Sequence, residues 1–249
     1  MSSLEALQAG LQRAATFLSK ADRVGQSEDP RDIYYLIDFM VYLVKEVYPY
    51  IPCQSGCSNC CVDSGLPRTS ALEWKHIYTY LRDKAPDEVR QTVLRQNEAM
   101  HRQQLDLFLQ EQARIERPES DLPLPAFGCK RCPFLIDDRC SVYPVRPAIC
   151  RGFGYFTWRP RPQAESQVFA CQMAADTLLE GLQLRQQPQA MLPVWNAISD
   201  KLYALNAVQG QGVIATLPLW LLAHTGPEGE LLPELNLQPD FQALLNAPR

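Results

Sequence analysis

The residues of this chain best able to do chemistry are its nine cysteines, and they fall into two groups. Cys53, Cys57, Cys60 and Cys61 are spaced C-x3-C-x2-C-C, and Cys129, Cys132, Cys140, Cys150 and Cys171 follow downstream and complete the set. Scattered core cysteines would not divide in this way. The division points to ligation of a soft metal ion or an iron-sulfur cluster, which needs thiolates converging on one point from short, turn-rich segments. On a helical turn Cys53 with Cys57, Cys57 with Cys60, and Cys57 with Cys61 would share a face. Gly56 would ease close backbone approach. The adjacent pair Cys60 and Cys61 is the more informative feature. Neighbouring side chains diverge in a helix or strand, so either two metal centres exist or one of these thiols is spare.

A disulfide framework is the competing explanation, and three observations weigh against it. An odd number of cysteines leaves one thiol over. A chain of 249 residues can bury a full core without staples. The opening Met1-Ser-Ser-Leu-Glu5 shows no basic stretch leading into an apolar one, so a reducing, cytoplasmic compartment is the expectation. The composition, 46% hydrophobic and 21% charged, is that of a soluble globular protein. A net charge of -4 gives no general pull toward nucleic acid or an anionic membrane, and neither partner is expected.

The elements that must position the thiols read mainly as helices. Leu4, Leu7, Leu11, Ala14, Ala15 and Leu18 recur at helical spacing and predict an amphipathic first helix. The run 32–50 is apolar nearly all round and reads as a buried central helix leading into the first cysteine block. Asp38, Lys45 and Glu46 exclude a membrane span there. Ser70 and Glu73 form a capping-box signature for a helix over about 70–82, and Pro86 opens a longer one from Asp87 to Glu116.

The twenty prolines concentrate after that helix and near the C-terminus and mark irregular chain. Leu122 to Ala126 reads as an extended approach to Cys129-Lys-Arg-Cys132, a C-x2-C knuckle. Phe134–Ile136 and Cys140–Tyr143 flank Asp137-Asp138-Arg139 as a short β-hairpin, and 144–150 reads as irregular or one helical turn. The segment Gly152 to Trp158 has no strand-to-helix glycine pattern for a phosphate loop and is expected to pack over the metal site. Helices are predicted over 168–186, with Cys171 in the first turn, and over 191–208. Arg131, Arg139, Arg146 and Arg151 lie beside thiols, where positive charge favours thiolate. His76, His101 and His224 fall in predicted helices or the tail and read as core or surface residues rather than ligands.

Taken together, Cys53-x3-Cys57-x2-Cys60-Cys61, then Cys132-Pro-Phe-Leu-x4-Cys140-Ser-Val-Tyr-x2-Arg146-Pro147-x2-Cys150-Arg151, then Cys171, resembles the CxxCxxCC or YkgJ-type cysteine-cluster family. That family is described as zinc- or iron-chelating and includes proteins similar to flagellin lysine N-methylases. The resemblance implies Cys53, Cys57, Cys60, Cys61, Cys132, Cys140, Cys150 and Cys171 as metal and cofactor ligands, Cys129 as an addition, and Arg146 as a donor supporting the ligands. No residue is assigned a catalytic role.

The expected fold is mainly α, an irregular helical domain with two cysteine-rich metal-binding loops and a short β-hairpin. One domain, 1–249, is expected, built on a cysteine-cluster core over 53–171 with a helical insert over 69–117. Helices from 1–50 and 172–249 would pack on that core. The expected function is a protein holding a 4Fe-4S iron-sulfur cluster or zinc in a redox, regulatory or structural role. The alternatives are a protein lysine N-methyltransferase-like enzyme, for which the chain shows no convincing donor-binding glycine loop, and a zinc-stapled helical scaffold that presents the aromatic helix to a protein partner.

Overall fold

A computed structural model describes residues 3–25, 28–64, 66–117, 131–159 and 163–246. The chain is mainly α with short antiparallel strand pairs. Helix α1 (Ser3–Ser19) buries Leu7, Gly10, Ala14 and Leu18, one face at three- and four-residue spacing. Helix α2 (Ile33–Val47) starts at Asp32, whose carboxylate accepts the Tyr34 N–H at 2.8 Å. It is less enclosed than its composition suggests, because Asp38, Tyr42 and Glu46 form an exposed stripe one turn apart. The short α3 (Asn59–Asp63) follows, then β1 (Arg68–Ser70).

Helix α4 (Ala71–Asp83) carries the full capping box: the Glu73 N–H donates to Ser70 Oγ, and the Ser70 N–H donates to the Glu73 carboxylate at 2.8 Å. Helix α5 (Asp87–Glu116) begins after Pro86 and is interrupted at Gln104, where φ is -137°. The extended approach over 122–126 and Cys129 lie outside the described residues. The hairpin of β2 (Leu135–Ile136) and β3 (Arg139–Cys140) forms as expected, with Asp137 and Asp138 both at positive φ, 47° and 58°. A 3-10 turn at Tyr143–Val145 and the one-turn helix α6 (Ala148–Gly152) complete this stretch.

Two predicted helices are shorter than their periodicity suggested. Val168 lies in β5 (Gln167–Phe169), paired antiparallel with β4 (Phe156–Trp158), so α7 (Gln172–Leu184) starts after Cys171, which is its N-cap rather than a residue of its first turn. The next helix, α8 (Trp195–Gln209), begins beyond Pro193, whose carbonyl accepts the Thr157 N–H at 2.9 Å and holds the preceding residues extended along β4. After it come β6 (Ile214–Thr216), α9 (Leu217–Ala223) and α10 (Phe241–Asn246).

The chain forms two compact units, Met1–Cys60 with Ala148–Leu205, and Cys61–Pro147 with Asn206–Arg249. In the first, α2 packs on α1 and on α6. Arg151 of α6 is buried, pairs with Asp38 of α2 at 2.7 Å and lies 4.2 Å from the centre of the Tyr34 ring. Trp195 stacks on Phe169 and meets Phe156 edge-on, fixing the β4–β5 pair. In the second unit β1 pairs with β6, Thr69 opposite Ala215, and the core centres on Trp74 stacked against Trp220 with Tyr78 and Phe108. The Trp220 indole N–H donates to the Thr69 carbonyl at 2.8 Å and so ties α9 to β1.

Candidate metal centre

In the first unit the thiols gather around Cys53. The expected helical turn across the whole N-terminal block does not form: α3 holds only Cys60 and Cys61, while Cys53 and Cys57 precede it. They are brought together by a turn in which the Cys57 N–H donates to the Gln54 carbonyl at 3.0 Å. Gly56 serves that turn by its φ of +92°, and a Cβ there would meet nothing within 4 Å, so its role is conformation rather than close approach. Close approach occurs at Gly154. A Cβ on Gly154 would lie 2.3 Å from Cys53 Sγ, and its φ is +93°.

The neighbours of Gly154 extend this contact. Its N–H donates to the Phe169 carbonyl at 2.7 Å, and the Tyr155 hydroxyl donates to the Cys53 carbonyl. Two residues after Phe169, buried Cys171 caps α7. Asn59 Nδ2 then bonds Met173 Sδ at 2.7 Å, which joins the residues flanking Cys60 and Cys171. Cys150 belongs to the same unit, on α6.

The electrostatics agree with this grouping. Burial pushes the Cys53 thiol up to about 12, and the negative charges of Cys171, Cys57 and Cys60 add to the shift. Charges act on Cys53 in this way only from nearby, so a thiol of the C-terminal block shares a neighbourhood with three of the N-terminal one. The Lys45 ammonium opposes the shift; it lies 5.2 Å from the centre of the Tyr155 ring.

In the second unit the Cys132 N–H donates to the Cys61 carbonyl at 2.6 Å. The Cys132 carbonyl accepts the Leu135 N–H at 3.0 Å, and Leu135 is the register partner of Cys140 across the hairpin. Cys132 is part of the buried core there, and Cys61 and Cys140 pack against it. Arg146 lies flat on Tyr143, 3.8 Å from the ring centre, and donates to the Tyr143 carbonyl at 3.2 Å. Arg131 is exposed and stands 3.6 Å from Asp138. His101 stacks on Phe108 and His224 is buried beside Trp74 and Tyr78, both as core residues.

All eight described cysteines are in the thiol form. Among the described residues no three His, Cys, Asp or Glu side chains stand in the arrangement of a formed metal centre. The donor chemistry nonetheless fits a soft cation, which binds cysteine sulfur as thiolate and displaces its proton. Lys45 and Asn59 escaped the reading of the sequence as neighbours of the thiols, whereas Gly154 and Tyr155 lie in the segment Gly152 to Trp158, expected from the sequence to pack over the site.

Residues 52–162 match the model of the CxxCxxCC family, described as a "Putative zinc- or iron-chelating domain". The match takes in every cysteine except Cys171, and it bears out the resemblance carried by the two cysteine blocks. No curated protein and no solved structure matches the chain.

Proposed function

With residues 52–162 carrying a CxxCxxCC domain as the premise, we propose that this protein binds iron or zinc through cysteine thiolates, with Cys53, Cys57, Cys60, Cys61, Cys132, Cys140, Cys150 and Cys171 as the ligand set. The observation that carries the proposal is the neighbourhood of Cys53, where a turn brings Cys57 close in the chain and the Gly154 backbone, bonded to Phe169 two residues before the sequence-distant Cys171, closes on the Cys53 sulfur. An all-sulfur set suits an iron-sulfur cluster, the first choice here, and equally satisfies a four-thiolate zinc ion. A bound cluster would supply one-electron redox chemistry, and a zinc ion would supply a structural crosslink. A cytoplasmic setting would keep such thiols reduced and available to a metal.

The chain's own residues do the holding. Gly154 lets the turn between α6 and β4 close on Cys53, Tyr155 pins the Cys53 carbonyl, and Lys45 offsets thiolate charge. Anaerobic purification with elemental analysis tests the proposal. Brown protein whose broad visible absorption is bleached by dithionite identifies a cluster, and colourless protein with stoichiometric zinc identifies zinc. Protein that holds neither metal, as purified or after anaerobic reconstitution, overturns the proposal.

A further inference from the structure

We infer that the thiols form two separate centres divided at the peptide bond between Cys60 and Cys61: one held by Cys53, Cys57, Cys60 and Cys171, the other by Cys61, Cys132 and Cys140. The inference rests on the thiolate-metal reading above and assigns every sulfur of that set except Cys150 to one centre or the other. Cys60 and Cys61 are consecutive residues of α3. Consecutive side chains of a helix point about 100° apart, so the two sulfurs leave the helix in different directions.

The contacts that follow each of them keep the same division. On the Cys60 side, Asn59 bonds Met173, two residues after Cys171, and Gly154 closes on Cys53, all within the unit that contains Met1–Cys60. On the Cys61 side, the backbone of Cys132 is bonded to Cys61 itself, and the hairpin sets Cys140 opposite Leu135, all within the unit that starts at Cys61. Each set therefore draws sulfur from both blocks of the sequence, which is why the blocks alone gave no partition.

The two sets also differ in kind. The first offers four thiolates, with Cys150 as a further thiol in the same unit. That number closes a tetrahedral ion or ligates a four-iron cluster. The second offers three among the described residues, which leaves one position of a tetrahedral ion for an added donor such as water or a small thiol.

Cadmium, a soft thiolate-seeking probe, tests the assignment on the full chain, stripped of metal and reduced under anaerobic conditions. Cadmium-113 NMR of the titrated wild type is expected to show two resonances in the thiolate region. Cys60→Ser should remove or shift one of them and Cys61→Ser the other. A single resonance, or loss of the same resonance from both variants, overturns the partition. Failure of the wild type to take up any cadmium overturns the thiolate reading itself. Should a variant lose its helical circular dichroism, the wild type still decides. With cadmium below saturation, alkylation mapped by tandem mass spectrometry should show Cys53, Cys57, Cys60 and Cys171 protected as one group and Cys61, Cys132 and Cys140 as another. Protection that rises in parallel across both groups from chains with a single bound ion overturns the partition.

Discussion

Cys53 is the residue on which the site depends, because its sulfur is the one against which a glycine backbone has closed. Gly154→Ala is expected to cost about 1–3 kcal/mol from the left-handed backbone alone, and more from the clash with Cys53. Its bound metal should fall well below the wild-type content by elemental analysis. Cys57→Ser or Cys171→Ser should likewise lose metal, while Cys129→Ser, which the sequence resemblance leaves out of the ligand set, should lose less. Equal loss from all three would refute the special standing given to Cys129. Because the Cys53 thiol is held up to about 12, binding a metal at neutral pH must displace its proton. Apparent affinity should then rise with pH, roughly tenfold per unit for each proton released, in a competition titration with a chelator.

A second residue gives a pH dependence of stability. His224 Nδ1 lies 2.9 Å from the Trp220 carbonyl, and Nε2 accepts the Asn236 N–H at 3.0 Å, an arrangement that suits the neutral ring. Burial lowers its pKa below the usual 6.5. The depressed value stabilises the fold above pH 6.5, and this contribution is lost as pH falls, because the unfolded chain takes up a proton that the folded one resists. The urea midpoint should drop between pH 6.5 and 5, and His224→Gln should flatten that drop while lowering stability at pH 7.

At the scale of elements, two anchors fix local structure, one in each unit. Ser70 and Glu73 start α4 beside the β1–β6 pair, and Ser70→Ala is expected to cost about 1 kcal/mol, read as a lower midpoint in chemical denaturation. Arg151 ties α6, which carries Cys150, to α2 through Asp38 and the Tyr34 ring. Arginine makes a planar stack and a directed ion pair at once, and lysine cannot reproduce both. The β4–β5 pair is the element that periodicity missed. Val168 and Phe169 fit a helical pattern continued into α7, but Phe169 opposite Phe156, with Trp195 across both rings, favours the strand.

At the scale of the whole molecule, metal binding by the proposed ligand set would join segments far apart in sequence, so its free energy would add to folding. Chelation should lower the melting temperature of the metal-loaded protein and leave the far-UV signal helical at room temperature, since both units have extensive apolar cores of their own. Among the described residues no helix is long and apolar enough to cross a membrane. That agrees with the charges that interrupt the apolar run over 32–50.

Residue types and local spacing determined a good deal by themselves: the mainly helical class, the capping box at Ser70, the limits of α5, the Asp137-Asp138 hairpin and the cysteine pattern that the family match bears out. Each follows from interactions within a few residues. The adjacent pair Cys60-Cys61 likewise announced that one shared site was hard to build. Only the tertiary structure brought Gly154 against Cys53 and Asn59 against Met173, because these contacts join distant segments, and local propensity carries no information about that distance. It also separated the roles of two glycines. Gly56 is needed for its backbone angle and Gly154 for both its angle and the sulfur against it, a difference set by what packs there.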